Sequence, residues 1–300
     1  MANTPKRKSS KSNHAPQKTS PDGDVRAFWD AQAVAHGPSD LATAPDHFYR
    51  TLEIEAINRV VSNLDHATIL DVGCGNGYTT IQLAKQFPKS TIVGVDFSTA
   101  MVDEANKERN KAAAANAAFF EGDVLSLSRN SSLHGLKFDL VLSTRCLINL
   151  ANWEEQKIGI LEMRKMLKPD GRLVLVENVQ EGLDNLNNLR SQFGLDPIKV
   201  RWHNKYLPQP SIMKFFGEIN GHLLSTEYVE NIGNMYYLAS RVIYAKLCKD
   251  QGVEPDYNNQ INEIASKLPS MGEYYACSPN FLFVLKNETS TSWDGKKLSS

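Results

Sequence analysis

The sequence predicts an α/β fold in which parallel strands alternate with helices, and three observations carry that expectation. Thr68 to Val72 is a short apolar, β-rich run with Asp71 near its end, the pattern of a buried parallel strand. Gly73, Gly75 and Gly77 follow at once, and Ile81, Leu83, Ala84 and Phe87 then recur at helical spacing until Pro88. A second apolar strand, Thr91 to Val95, closes on Asp96 about twenty residues beyond the first glycine, where a ribose-binding carboxylate belongs in a βαβ unit. Together these make a pocket of nucleotide type, with a helix N-terminus aimed at the ligand.

The loop departs from a dinucleotide-binding pattern. G-x-G-x-x-G requires a glycine at position 78, where Tyr78 stands. A carboxylate at Asp71 repels a pyrophosphate and suits a ligand carrying an ammonium and a sulfonium. A nicotinamide-dependent oxidoreductase is the competing reading, and these two residues count against it.

Four landmarks then fall in one order: D-V-G-C-G-N-G from Asp71, V-G-V-D-F from Val93 to Phe97, E-G-D-V from Glu121 to Val124, and L-K-P-D-G-R-L from Leu167 to Leu173. In this order the chain resembles the class I S-adenosylmethionine-dependent methyltransferases over roughly residues 69–178. The resemblance implies a Rossmann-like seven-stranded sheet with helices on both faces. It also implies an N-terminal lid and S-adenosyl-L-methionine as cofactor, with S-adenosyl-L-homocysteine as product. It places Asp71, Gly73, Gly75, Gly77, Asp96, Phe97, Met101, Asp123, Val124 and Thr144 around the cofactor, with Asp123 accepting from the adenine amino group and Val124 offering its backbone amide.

Length and composition bound the rest. Three hundred residues, 41% apolar, suit one domain with insertions. A net charge of −1 gives no global pull toward nucleic acid, and no apolar run approaches the ~20 residues of a membrane span. The N-terminus lacks a secretory apolar segment, and Cys74, Cys146, Cys248 and Cys277 are scattered without a C-x-x-C. These features fit a cytoplasmic protein without a metal centre. A homodimer stays open.

In chain order, residues 1–21 are polar and carry five Lys or Arg and no acid, which predicts a disordered basic tail. The alternative function attached to it is RNA or protein methylation with the tail as tether. Residues 22–66 form the lid: a short helix around Val25, Phe28 and Trp29, a polar link, and a helix whose apolar face holds Leu52, Ala56, Ile57, Val60, Val61 and Leu64. Tyr49 and Arg50 either face the methionine end of the cofactor or cap the surface. Residues 67–178 are the cofactor-binding core, with a helix N-capped by Ser98 or Thr99, strands near 118–120, 138–142 and 173–176, and a helix over 152–167. Residues 179–286 supply helices over 181–192, 209–219 and 235–247 and strands over 222–229 and 281–285. About fifty residues separate those two strands, so the connection must carry its own structure and is the material for a substrate cap. Residues 287–300 read as a polar tail.

Methyl transfer is an in-line displacement, so the protein mainly aligns donor and acceptor, and a base is needed only for a protonated acceptor. Strand four ends in S-T-R-C rather than an N/D-P-P-Y/F or Pro-Cys pattern, which disfavours DNA adenine and cytosine chemistry. Arg145 is a cation at the mouth of the site, available to a substrate carboxylate or phosphate, or to a nearby acid. In R-W-H-N-K-Y, Arg201 to Tyr206, His203 is the general-base candidate and Tyr206 a weaker one. Arg241 lies at helical spacing among Tyr236, Tyr237 and Tyr244, in the cap or its core. The expected partner is a small polar or anionic metabolite, with an oxygen or nitrogen acceptor ahead of sulfur.

Overall fold

Two apolar clusters cover opposite faces of one sheet, and strand alternation decides which side chain joins which. Leu70 and Val72 pack with Val93, Val95, Val141 and Leu175 on one face, whereas Ile69 packs with Ile92, Leu142, Val174 and Val176 on the other. The computed structural model describes residues 24–44, 46–61, 65–218, 224–268 and 277–287. Both tails, residues 1–21 and all but Asn287 of 287–300, lie outside the described residues, as does Leu64 of the expected lid helix.

The strands are β1 (Thr68–Val72), β2 (Thr91–Asp96), β3 (Ala117–Glu121), β4 (Phe138–Thr144), β5 (Leu167–Asn178), β6 (Leu224–Asn231) and β7 (Asn280–Asn287). They form one sheet in the order β3-β2-β1-β4-β5-β7-β6, parallel from β3 to β5, with β7 antiparallel to both β5 and β6. The expected seven-stranded α/β architecture is therefore present. Its order reverses at β1, between β2 and β4, and the crevice at the carboxyl ends there is where ligands of such sheets bind.

Helix α1 (Val25–His36) and α2 (His47–Val61) precede the sheet. Within it come α3 (Tyr78–Gln86), α4 (Thr99–Lys111) and α5 (Trp153–Lys165), then α6 (Gln180–Gln192) and α7 (Gln209–Glu218). Ser98 N-caps α4, its Oγ accepting from Met101 N at 3.1 Å.

Three details differ from the sequence expectation. Strand β5 starts at Leu167, not Leu173: Leu167 aligns with Phe138 before Lys168 to Gly171 loop out, and the ladder resumes at Arg172 opposite Leu140. Asp170 adopts a left-handed φ of 59° in that excursion. The single helix expected over 235–247 is α8 (Asn234–Tyr237), a π segment at Leu238–Tyr244, and α9 (Ala245–Asp250). A further helix, α10 (Gln260–Ser266), went unread because Gln260 to Ser266 shows only two strong apolar residues, Ile261 and Ile264. A third cluster of Tyr49, Leu186, Tyr236, Tyr237, Val242, Ala265 and Cys277 joins this connection to α2 and α6. No helix among the described residues is long and apolar enough to cross a membrane.

Candidate functional site

The β1–α3 loop is built for close approach. Gly73 has φ 72°, and a Cβ there would lie 2.5 Å from Cys146 Cβ. Gly77, at φ 77°, is the N-cap of α3, and a Cβ would meet Phe119 Cζ at 2.8 Å. Left-handed φ and lack of space both demand glycine. Asp96 ties this loop to β2, its Oδ2 accepting from Gly75 N at 2.8 Å and its Oδ1 from Ser98 N at 2.9 Å. Burial pushes the Asp96 carboxyl up to about 6, with those two amides pulling the other way.

A cavity of about 330 Å³ opens above the carboxyl ends of β1, β2 and β4. Gly73, Gly75, Asp96, Phe97, Met101, Asp123, Val124 and Thr144 all line it, together with Arg145, His203 and Tyr206. Eleven of the thirteen sequence-derived candidates thus share one cavity. Asp71 and Gly77 do not line it, which corrects the expectation that Asp71 faces the ligand. The cause is depth along the strand: Asp71 lies one residue before the end of β1 and turns its carboxylate onto α3. Its Oδ2 accepts from Thr80 Oγ1 at 2.6 Å, and burial pushes its carboxyl up to about 6. Asp71 braces the loop from behind.

Helix α1 and the segment after it are pinned over the β2–β3 end. Asp30 Oδ1 accepts from Ser98 Oγ at 2.5 Å, Arg26 pairs with Glu121 at 2.9 Å, and its guanidinium lies 5.3 Å from the Phe97 ring centroid. Trp29 Nε1 donates to Asn149 Oδ1 at 3.2 Å, and Asn76 Nδ2 donates to the Gly37 and Ser39 carbonyls, each at 2.8 Å.

The other end of the cavity is cationic. Arg50, Arg145, Lys199, Arg201 and Arg241 line it. Buried Glu53 takes Arg50 Nη1 at 3.0 Å and Arg145 Nε at 3.0 Å, and Asp46 takes Arg241 Nη2. Lys199 and Arg201 have no ion pair among the described residues. Arg145 therefore leans on an acid from α2, the second of the two roles its position allowed, while still facing the cavity. Sequence reasoning passed over Asp46 and Glu53. The signal for Glu53 was an acid three and four residues before Ala56 and Ile57, on the apolar face of α2.

His203 is buried among Phe28, Trp29 and Trp202, with the Phe28 centroid 4.3 Å away. Burial, then the Arg201 charge, pull its imidazole down to about 4, so it is neutral at neutral pH. Burial raises the phenol of Tyr206 above the ordinary range. Several buried polar atoms on the lining have no partner among the described residues: Tyr49 Oη, Arg50 Nε, Thr144 Oγ1, Asn178 Oδ1, His203 Nδ1 and Arg241 Nη1. Buried polar groups are ordinarily satisfied, so this concentration marks a surface shaped for a polar ligand.

The profile of a family described as a methyltransferase domain matches residues 63–209. Malonyl-(acyl-carrier protein) O-methyltransferase of Halalkalibacterium halodurans is 32% identical over 194 residues, covering 54% of this chain and 69% of the relative. Trans-aconitate 2-methyltransferase and demethylmenaquinone methyltransferase, both of Deinococcus radiodurans, are 31% and 38% identical. Those two alignments cover 34% and 36% of this chain, and only 38% and 42% of the relatives. Magnesium protoporphyrin IX methyltransferase of Synechocystis PCC 6803, solved with bound S-adenosylhomocysteine, superposes at a TM-score of 0.55. It is 17% identical, with 88% of this chain and 98% of that one covered. The fold alone does not fix chemistry: the cyclase SpnF matches at a TM-score of 0.52 and 16% identity, with 80% of this chain and 81% of that one covered. Family profile and relatives agree, and the chain belongs to the class I S-adenosylmethionine-dependent methyltransferase family.

Proposed function

We propose that this enzyme transfers the methyl group of S-adenosylmethionine to an oxygen or nitrogen of a small anionic metabolite. The observation that carries the acceptor's charge is the cation-rich end of the cavity, with Lys199 and Arg201 unpaired among the described residues at its rim. Two of the relatives are named for malonyl and aconitate acceptors, which agrees with that reading.

At the donor end, Asp96 holds the ribose hydroxyls, Asp123 and Val124 the adenine, and the Gly73–Gly75 backbone lies along the chain toward sulfur. Each Asp96 oxygen keeps a lone pair beyond the backbone amide it already accepts. Tyr49 and Arg50 face the methionine end with unpartnered buried atoms. Bound there, S-adenosylmethionine supplies an electrophilic methyl group on a sulfur leaving group. The protein contributes alignment and exclusion of water, through α1 and the aromatic wall around His203. Neutral His203 does not repel the sulfonium, and its free Nδ1 takes the proton that a hydroxyl or neutral amine acceptor sheds as its lone pair attacks carbon. A carboxylate acceptor needs no such transfer. Arg145 and Tyr206 hold the acceptor beside it.

The test is a screen of fractionated metabolite extracts with labelled methyl donor, ion-exchange separating anionic from neutral acceptors. Label should appear in the anionic fraction, and transfer only to neutral acceptors would refute the charge assignment. His203→Ala should lower turnover on that acceptor by about 10²-fold with S-adenosylhomocysteine affinity intact, whereas an unchanged rate would confine His203 to the wall.

A further inference from the structure

The π segment between α8 and α9 carries Arg241, and its surroundings are unlike those of the other cations in the cavity. Single π turns inside helices are uncommon and recur at functional sites. Here the carbonyl of Arg241 is taken by Arg190 Nη1 from α6, so the irregular turn is held by a side chain. The guanidinium is fixed as well. Its Cζ lies 3.6 Å from the Tyr257 ring centroid, with Tyr237 and Tyr236 at 5.5 and 5.7 Å, and its Nη2 pairs with Asp46.

Asp46 is committed elsewhere too. Tyr236 Oη donates to its two oxygens at 2.7 and 2.8 Å, and Tyr49 N donates to Oδ1 at 3.0 Å. The Arg241 side chain is only 12% exposed, and its Nη1 is buried without a partner among the described residues, on a side chain that lines the cavity. Stacking, ion pair and backbone grip leave one donor nitrogen of a pre-oriented guanidinium unpartnered, on a side chain that borders the cavity.

We infer that Arg241 is the residue that receives a carboxylate of the methyl acceptor. This deepens the methyltransferase reading and rests on it. One edge of the guanidinium is occupied by Asp46, so the remaining nitrogen suits one oxygen of a flat monoanion. A phosphate dianion calls for more donors and more net charge than an Arg–Asp pair leaves. Tyr237, also on the lining, supplies an aromatic wall beside it, and Lys199 and Arg201 draw the anion inward.

The probe is benzoate, titrated calorimetrically into the enzyme saturated with S-adenosylhomocysteine, with benzamide and phenyl phosphate alongside. Benzoate should bind at least about tenfold tighter than benzamide, and tighter than phenyl phosphate. Arg241→Lys keeps a charge opposite Asp46 but loses the planar fork. It should weaken benzoate by about tenfold and leave S-adenosylhomocysteine within about twofold. Arg241→Gln should abolish benzoate binding. Equal binding of benzamide, tighter phenyl phosphate, or a benzoate affinity indifferent to both variants would overturn the assignment. So would a parallel loss of S-adenosylhomocysteine, which would give Arg241 to the cofactor's own carboxylate. A wild type that binds S-adenosylhomocysteine but no benzoate removes this inference alone. One that binds neither removes the cofactor reading beneath it as well.

Discussion

Asp96 shows how a backbone fixes the chemistry of one side chain. Its two oxygens each hold an amide, and burial still pushes it up to about 6. In the role proposed for it, Asp96 takes a ribose hydroxyl in its charged form, so binding of S-adenosylhomocysteine would favour the ionised carboxylate. Affinity should then be full above about pH 6 and weaken as the pH falls through that value, because protonation must be reversed before the nucleoside docks. Asp96→Asn should flatten this dependence and cost about 1–3 kcal/mol of binding at high pH. Calorimetric titrations from about pH 5 to 8 decide it, and a wild type with pH-independent affinity contradicts the assignment. That Asp96, Asp123, Gly73 and Gly75 gather at one cavity was legible because each sits at a strand end at a fixed offset along the chain. The Asp46–Arg241 pair was not, since it joins positions nearly two hundred apart and no local spacing announces it, although the tyrosines around Arg241 had marked that residue. Asp71 was misread because it sits one residue short of the end of β1, where Thr80 Oγ1 of α3 donates to its carboxylate below the cavity.

Among the elements, α1 packs Phe28 and Trp29 against His203 and Ala33 beside Met101, and polar contacts tie it to the β2–β3 end of the sheet. Of its residues only Ala33 is buried, and its grip on the sheet runs through Asp30 to Ser98 Oγ and Arg26 to Glu121. The latter pair is exposed at both ends and contributes about 0–1 kcal/mol. The Asp30 bond is charge-assisted and shields the β2–α4 turn beside Phe97, so it is the better latch. Asp30→Ala should therefore speed release of S-adenosylhomocysteine by roughly tenfold while shifting the urea midpoint little, since the sheet and its clusters are untouched. Stopped-flow displacement measures the release rate, and an unaltered rate would mean α1 is fixed cladding rather than a lid. Helices with a continuous apolar stripe, such as α2, were readable from periodicity. The π turn and the Lys168–Gly171 excursion were not, because each is a local break in register that neighbouring elements impose.

Across the whole molecule, Glu53 is where three remote parts of the chain meet. It is fully buried on α2, takes Arg50 from its own helix and Arg145 from the end of β4, and accepts from Asn280 Nδ2 at the start of β7 at 2.8 Å. Helix α2, the end of β4 and the last strand thus share one carboxylate. A buried acid flanked by two guanidiniums is held by their charge against its desolvation, and removing the acid leaves both cations uncompensated at low dielectric. Glu53→Gln preserves shape and an oxygen for Asn280 but deletes that charge. It should cost about 3–5 kcal/mol in urea unfolding at neutral pH. The same variant frees Arg145 to reorient in the cavity, so small carboxylates should bind no more weakly even as the fold loosens. Stability would then fall without a fall in anion affinity, a pattern that a general packing defect at this position does not produce. A loss of stability below about 1 kcal/mol would mean the two guanidiniums are neutralised by solvent instead, and that α2 is joined to the sheet by its apolar face alone.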